Sequence, residues 1–232
     1  MNREELACLA TLADKANNSQ ESCQFVKELV KAASGYLTSE EASLFINIYR
    51  SAARERRRVY QRLSMAEERQ KKLNSRFSHV FNEDKETIKA EFIEVCEEAL
   101  DIANKISLKH EDSNEVKAEL YCIKADCLRY LAENGDEAAG PQSHEAYLAG
   151  IELVSSLPPC NATVLLLNLN LSVLYYEILN QKGKSRDLAV KTFDEALTCL
   201  DELDDRNFKE SSRLLEIIKS NLQIWSPFAV DE

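Results

Sequence analysis

Glycine and proline are scarce in this chain of 232 residues, which contains five of the first and four of the second. Neither occurs between residues 36 and 134. These two residues interrupt helices and form turns, whereas the same stretch is rich in Ala, Leu, Glu, Lys and Arg, which favour helix. The composition therefore predicts a few long helices and an all-α fold.

The sequence also has little that catalysis or metal binding would require. His79, His110 and His144 are isolated from one another, no glycine-rich phosphate loop occurs, and the seven cysteines form no CxxC pair. An enzyme needs a positioned acid, base, nucleophile or metal, so we expect neither catalysis nor a cofactor. Scattered cysteines without a framework are typical of reduced, mostly buried thiols.

Positive charge is in the minority, with 29 Lys and Arg residues against 40 Asp and Glu and a formal net charge of −11. This balance argues against broad adhesion to nucleic acid or to an anionic membrane. No basic and then apolar leader opens the sequence, and no apolar run approaches the roughly 20 residues of a membrane-spanning helix. We therefore expect a cytoplasmic protein with neither nucleic acid nor membrane as its partner.

Helix starts inside the long uninterrupted stretch have to be marked by capping residues. The tetrapeptide TSEE at Thr38–Glu41 fits a capping box, and the segment from Asp112 to Glu115 fits a weaker version with Asp112 as the cap. The pattern as a whole predicts nine helices, near residues 3–17, 20–33, 39–73, 76–108, 114–134, 142–156, 162–180, 185–203 and 208–225.

The first predicted helix carries two apolar stripes, whereas an ordinary surface helix has one. The second stripe contains Cys8, Leu12 and Ala16. It could pack against another helix of the same chain or against a second subunit, and the pattern does not decide between the two.

Six arginines lie in the thirteen-residue segment RSAARERRRVYQR, which begins at Arg50. At about 100° per residue, Arg50, Arg54 and Arg57 fall within about 60° of one another on a helix. Such a run is most often a solvated helix face, and a local anion site is the alternative. Arg56 and Arg62 point elsewhere, and we expect them to be solvated or paired with neighbours such as Glu55.

Four later segments resemble the 14-3-3 family, in order and at matching separations. They are RYLAE at Arg129–Glu133, NLSVLYYEILN at Asn170–Asn180, FDEALTCLDEL at Phe193–Leu203 and NLQIW at Asn221–Trp225. The first two are long strings that helix propensity gives no reason to find together. Other hallmark segments have diverged: ASLFINIYRSA stands for RNLLSVAYKNV, and FKESSRLLEIIKSNLQIW for YKDSTLIMQLLRDNLTLW. The chain is thus identified as a divergent member of that family.

The resemblance implies a cup-shaped monomer of nine antiparallel helices with a concave peptide-binding groove. It implies a single domain over residues 1–225, in which helices 1–4 supply dimerisation and the groove floor and helices 5–9 the groove wall. A short C-terminal tail follows at residues 226–232. The implied function is that of a phosphoserine- or phosphothreonine-dependent adaptor, which as a homodimer clamps, masks or brings together phosphorylated client proteins.

Matched motif by motif, the resemblance assigns phosphate binding to Arg50, Arg57, Arg129 and Tyr130. A guanidinium group can hold two phosphate oxygens at once, and a phosphoryl group carries nearly two negative charges near neutral pH. We expect Arg57→Glu or Arg129→Glu to abolish phosphopeptide binding and to leave the helical fold intact.

Further peptide-binding residues are implied on the fifth, seventh and last helices. Asn170 and Asn221 are expected to hydrogen-bond the main chain of the bound peptide, which holds it extended. The other residues expected along the peptide path are Lys124, Leu169, Val173, Glu177, Leu214, Ile217 and Trp225. For the aliphatic members of this set, plain core packing is the alternative interpretation.

Several positions depart from the family pattern. Cys122 and Gln61 replace basic residues of the groove, and Arg213 replaces a leucine of its apolar wall, so the preferred flanking sequence stays open.

At the implied dimer seam, Asn18 and Thr87 replace basic residues, and two intersubunit salt bridges are expected to be lost. The seam residues are Leu12, Ala16, Val59 and Glu91. Exposed ion pairs contribute about 0 to 1 kcal/mol each, so the apolar stripe should still favour a dimer.

Two non-enzymatic alternatives remain. The segment NLSVLYYEILNQKGKSRDLAVKTFDEAL looks like the paired helices of a tetratricopeptide scaffold, which would bind unmodified peptides, but no 34-residue period is sustained. RNA binding through the arginine-rich helix is disfavoured by the net charge and by the lack of interleaved aromatic residues other than Tyr60. One peptide, compared with and without its phosphate, distinguishes the adaptor from the scaffold.

Overall fold

A computed structural model describes residues 1–73, 80–108 and 113–226, with the side chains of residues 80–83 excepted. Within these ranges the chain forms nine α-helices and one 3₁₀ turn, and the prediction of an all-α fold is confirmed. The helices are α1 (Arg3–Lys15), α2 (Ser19–Ala32), α3 (Ser39–Lys72), α4 (Val80–Lys105), α5 (Asn114–Glu133), α6 (Ala139–Leu153), α7 (Ala162–Glu177), α8 (Lys182–Leu197) and α9 (Asp205–Ile224). The 3₁₀ turn, Leu200–Glu202, lies between α8 and α9.

The start of the long helix α3 follows from its capping residues. Thr38 Oγ1 accepts a hydrogen bond from the Glu41 backbone N–H at 3.3 Å, and Glu41 Oε2 accepts one from the Thr38 N–H at 2.9 Å. This is the capping box that the sequence predicts. At α5 the cap is Ser113, whose hydroxyl accepts from the Glu115 N–H at 3.1 Å. The residue expected as that cap, Asp112, lies outside the described residues.

Three helices, α6, α8 and α9, begin three residues earlier than the sequence predicts. Helix α6 begins at Ala139, so Pro141 lies in its first turn, where its missing N–H leaves no helical hydrogen bond unmade. Helix α9 begins at Asp205, because the Asp204 side chain accepts from the backbone N–H groups of Arg206 and Asn207, both at 3.0 Å.

The chain divides into two compact units, Met1–Asp112 and Ser113–Glu232. In the first, α1 packs on α2 and α3, and α3 packs on α4. Its core includes the fully buried aromatic side chains of Phe45, Tyr49 and Phe92. The single domain expected over residues 1–225 stays a prediction, and of the expected tail only Ser226 lies within the described residues.

Helix α1 buries only one of its two apolar stripes. Leu6, Ala10 and Ala13 face the core, whereas Leu12 is 56% exposed and Ala16 is also exposed. The second stripe is therefore not covered by another helix of its own unit, which removes the intrachain packing alternative for Leu12.

The second unit contains two neighbouring core clusters that share α7. One joins α5, α6 and α7 around Tyr147, and the other joins α7, α8 and α9 around Trp225. Helix α6 approaches its neighbours closely at Gly150, where a Cβ atom would lie 3.0 Å from Leu167 Cδ2 and 3.2 Å from Tyr121 Cβ. A larger residue at this position would force the helices apart.

All seven cysteines lie within the described ranges, and each is a free thiol. Five are buried, Cys199 is half-buried and Cys8 is exposed, so the prediction of reduced, mostly buried thiols is confirmed. Among the helices of the described residues, none combines the length and the apolarity needed to cross a membrane.

Candidate functional site

The first unit contributes Arg50 and Arg57 to the predicted phosphate site. They lie seven residues apart on α3, which is close to two helical turns, so both side chains leave the helix on the same face. Both are half-buried. Gln61, which follows one turn later on this face, is exposed.

Arg56 lies on a different side of α3 and is held by contacts within its own unit. Its Nη1 donates to Ser19 Oγ at 3.1 Å and lies 3.9 Å from Glu55 Oε2, and its Nε lies 3.7 Å from Glu91 Oε2. The expected pairing of Arg56 with a neighbour such as Glu55 is therefore confirmed. These contacts give Arg56 a structural role within the first unit.

The second unit contributes Arg129 and Tyr130, which are adjacent on α5 and almost completely buried. The Arg129 guanidinium donates through Nη2 to Asp126 Oδ1 at 3.2 Å, through Nη1 to Glu133 Oε1 at 3.1 Å and through Nε to the Tyr147 hydroxyl at 3.3 Å. Its central carbon lies 4.5 Å from the centroid of the Tyr130 ring. The guanidinium group is thus fixed in one orientation before any ligand arrives.

Asp126 is the centre of this network. Its Oδ1 also accepts from the Tyr147 hydroxyl at 2.5 Å and from Asn170 Nδ2 at 3.0 Å. One carboxylate oxygen thereby connects Arg129, predicted to bind phosphate, with Asn170, predicted to bind the peptide main chain. Sequence reasoning did not single out Asp126 or Tyr147. The one local signal for Asp126 is its position three residues before Arg129, a spacing that brings side chains together on a helix.

The charge state of the network follows from its burial and its neighbours. Burial by itself would lower the pKa of Arg129, but the surrounding Tyr147, Tyr130, Asp126 and Glu133 outweigh it and hold that pKa above its ordinary value. Burial, together with the nearby Asp126 carboxylate, raises the pKa of Tyr147. Arg129 therefore stays a cation and the Tyr147 hydroxyl stays protonated throughout the physiological range.

The residues expected along the peptide path differ widely in burial. Leu169 and Trp225 are buried in the cluster of α7, α8 and α9, and the Trp225 ring stacks on Tyr176 with 4.7 Å between centroids. Val173 and Leu214 are half-buried against the same cluster, whereas Ile217 is 41% exposed and Glu177 is exposed. The half-buried polar members are Lys124, Asn170 and Asn221. Their roles in peptide binding stay predictions.

Two of the departures from the family pattern have a clear structural setting. Cys122 is fully buried in the cluster of α5, α6 and α7, so this position presents no side chain to solvent. Arg213 is exposed on α9 one turn before Ile217, on the same face. It places a cation directly beside an exposed apolar side chain.

At the expected dimer seam the acidic residues are engaged within their own chain. Asn18 caps α2, its Oδ1 accepting from the Glu21 N–H at 3.2 Å while its Nδ2 donates to Glu21 Oε2 at 2.7 Å. Glu91 is exposed and pairs with Arg56, as described above, and Val59 is 36% exposed. The remaining departure, Thr87, is exposed on α4.

Outside this set, His144 is in contact with a tyrosine. His144 Nε2 lies 2.9 Å from the Tyr175 hydroxyl in the second unit, and His79 and His110 lie outside the described residues. Within the described ranges, no group of three or more His, Cys, Asp or Glu side chains could hold a metal ion.

Comparison with known proteins gives consistent matches along the whole chain. A family model described as 14-3-3 protein matches residues 9–226. The "14-3-3 protein 10" of Solanum lycopersicum is 31% identical over 240 residues, covering 100% of this chain and 95% of that protein. The "Checkpoint signal transducer rad25" of Schizosaccharomyces pombe is 32% identical over 230 residues, with 97% and 85% covered. The "14-3-3 protein 2" of Entamoeba histolytica is 31% identical over 229 residues, with 97% and 96% covered.

Proposed function

The chain belongs to the 14-3-3 family, whose members are adaptors that bind phosphorylated proteins, and we propose that it binds phosphoserine and phosphothreonine segments of client proteins. It would regulate these clients by clamping, masking or scaffolding them in the cytoplasm. The observation that carries this proposal is the buried guanidinium of Arg129, which three hydrogen bonds hold in place within the family's RYLAE motif.

The phosphate would be bound by Arg50, Arg57, Arg129 and Tyr130. A fixed guanidinium group loses little conformational entropy when it binds, because that entropy has already been lost on folding. A hydrogen bond to a charged group contributes about 1.5 to 3 kcal/mol, so several of them together separate a phosphorylated from an unmodified peptide by several powers of ten. Discrimination between the two is therefore the central property of the proposed site.

The peptide itself would lie along α5, α7 and α9. Asn170 and Asn221 would bind its main chain, and the accessible Ile217 with the half-buried Val173 and Leu214 would form the apolar side of its path. Leu169 and Trp225 would support that side from the core, where both are buried. Lys124 and Glu177 would supply the polar contacts.

A homodimer is part of the proposal. The exposed stripe of Leu12 and Ala16 would pack against the region of Val59 and Glu91 in a second copy, since burial of apolar surface is the main driving force for such association. Two sites on one body raise the apparent affinity for a doubly phosphorylated client through effective concentration.

Fluorescence polarisation with one labelled peptide, in its phosphoserine and its serine form, tests the proposed ligand. The phosphorylated form is expected to bind at least about 100-fold more tightly. Equal affinity for the two forms would contradict the proposal and favour a scaffold for unmodified peptides.

Light scattering in the same buffer is expected to give twice the chain mass of 26.3 kDa, and a monomer mass would contradict the dimer alone.

Arg213→Leu is expected to change which residues are accepted next to the phosphoresidue. The substitution removes an exposed cation one turn from Ile217 and extends the apolar surface of α9. On an array of phosphopeptides with varied flanks, the variant should lose preference for acidic residues and gain preference for apolar ones. Arg206→Leu, which removes an exposed cation from the first turn of the same helix, is the matched control. An unchanged array profile would place Arg213 outside the peptide path.

A further inference from the structure

Three further arginines on α3 lie outside the four residues assigned to the proposed phosphate site. Arg54, Arg58 and Arg62 follow one another at intervals of four residues, and all three are exposed. Across the described residues, none of these three guanidinium groups takes part in an ion pair or a hydrogen bond. We call these three residues the arginine row.

The arginine row opposes the stability of the helix that carries it. Arg54, Arg58 and Arg62 are successive i,i+4 neighbours, and like charges at this spacing destabilise a helix. The chain has a net charge of −11, so acidic side chains are abundant. The acidic residue inside this segment is Glu55, and it pairs with Arg56 rather than with the arginine row. A local rule broken without a compensating contact is expected at functional sites.

The spacing of the arginine row suits an extended acidic peptide. With a rise of about 1.5 Å per residue, side chains four residues apart leave the helix about 6 Å apart along its axis, each rotated by about 40° from the one before. Alternate side chains of an extended strand are about 6.6 Å apart and point to the same side. Acidic residues at every second position of an extended segment would therefore meet successive arginines.

We propose that the arginine row binds an acidic segment of the client that adjoins the phosphorylated residue. This inference rests on the proposed function and adds a preferred client sequence to it. At about 100° per residue, Arg54, Arg58 and Arg62 are rotated from Arg50 by about 40°, 80° and 120°, so the row starts beside the α3 cations of the proposed phosphate site and winds away from them around the helix. A client anchored by its phosphate would bring its flanking carboxylates to the row at high effective concentration.

A short acidic peptide segment fits the arginine row better than a nucleic acid does. A polyanion would meet repulsion from the net charge of −11. Single strands are usually bound through aromatic side chains on which the bases stack. The one aromatic residue among these arginines, Tyr60, is half-buried.

The test uses three labelled phosphopeptides that share one phosphoserine. The first has neutral flanks, the second has Glu at alternate positions before the phosphoserine, and the third has Glu at alternate positions after it. The full chain is compared with R54A/R58A/R62A and with K31A/K105A/K191A, which removes the same number of exposed positive charges from α2, α4 and α8. The quantity measured is the ratio of dissociation constants for the neutral and the acidic peptides.

One of the two acidic peptides is expected to bind the wild type about tenfold more tightly than the neutral peptide does at low salt, because several exposed ion pairs act together. This advantage should shrink as salt screens the charges, persist in the lysine variant and vanish in the arginine variant. The melting temperature of R54A/R58A/R62A should be unchanged or higher, because like-charge repulsion is removed and alanine favours helix.

Four results would overturn the inference. If the wild type binds the neutral phosphopeptide and gains nothing from either acidic flank, the arginine row has no such role and the proposed function stands. An acidic advantage that survives in R54A/R58A/R62A would place the acidic subsite elsewhere. Displacement of the acidic peptide by a short single-stranded RNA, at a lower concentration than by its own unlabelled form, would assign the row to nucleic acid. Failure to bind any of the phosphopeptides would overturn the proposed function as well.

Discussion

Arg57→Glu is expected to weaken phosphopeptide binding at least about 100-fold, because it removes charge-assisted hydrogen bonds of about 1.5 to 3 kcal/mol each and sets a carboxylate against a dianion. The helical fold should persist, since Arg57 is half-buried in the middle of a 34-residue helix and Glu favours helix nearly as well as Arg does. Fluorescence polarisation with the matched peptide pair measures the loss, and circular dichroism measures the helix content.

Two further variants identify the cause of that loss. Arg57→Lys keeps the charge but not the planar fork that holds two phosphate oxygens, so its affinity should fall between those of the wild type and Arg57→Glu. Arg206→Glu makes the same change of charge at an exposed position in the first turn of α9, where an anion is favourable, and it should bind as the wild type does. Affinity of Arg57→Glu within about threefold of the wild type would remove Arg57 from the site, since even one charge-assisted hydrogen bond is worth more than that.

The elements of this fold are readable from the sequence because local signals set them. The long stretch without glycine and proline predicted the long helices, and the TSEE capping box predicted the start of α3 correctly. The misplaced starts of α6 and α9 have a local cause as well. Pro141 can end a helix or lie in its first turn, and only the backbone path of the residues before it decides between these outcomes.

The buried network around Arg129 was not readable in the same way. The resemblance identified Arg129 and Tyr130, but Tyr147 comes from the next helix, and its contact with Arg129 depends on how α5 packs on α6. This environment changes one expectation. Arg129→Glu would place a carboxylate in a buried site beside Asp126 and Glu133, so we no longer expect the helical fold to remain intact in that variant.

Groove and core residues on α7 could not be separated by pattern alone. This helix contacts both clusters of the second unit, and its buried residues include Leu165, Leu167, Leu169 and Leu171. A helix packed on more than one side has no single polar face by which an accessible position could be recognised. The core alternative for Leu169 therefore fits its burial, whereas Ile217 on α9 is accessible.

Asp126→Ala is expected to lower the free energy of unfolding by about 3 to 5 kcal/mol, the usual result of removing one partner from a buried ion pair. The substitution leaves the buried guanidinium of Arg129 with Glu133 as its remaining carboxylate, and it removes the acceptor of Tyr147 and Asn170. Since total stabilities are about 5 to 15 kcal/mol, the effect should be plain in urea denaturation followed by circular dichroism. Asp187→Ala, at an exposed position on α8, should change the free energy by less than about 0.5 kcal/mol.

The double variant D126A/R129M separates stability from binding. Removing both charges of a buried pair costs far less than removing one, because no uncompensated charge is left inside the protein. We expect the second substitution to restore about 2 kcal/mol or more of what Asp126→Ala loses, while phosphopeptide binding stays lost because the guanidinium is gone. If the double variant loses as much free energy of unfolding as Asp126→Ala and Arg129→Met lose together, the carboxylate of Asp126 does not act by compensating the charge of Arg129. If the double variant still distinguishes phosphoserine from serine, Arg129 is not the cation that recognises the phosphate.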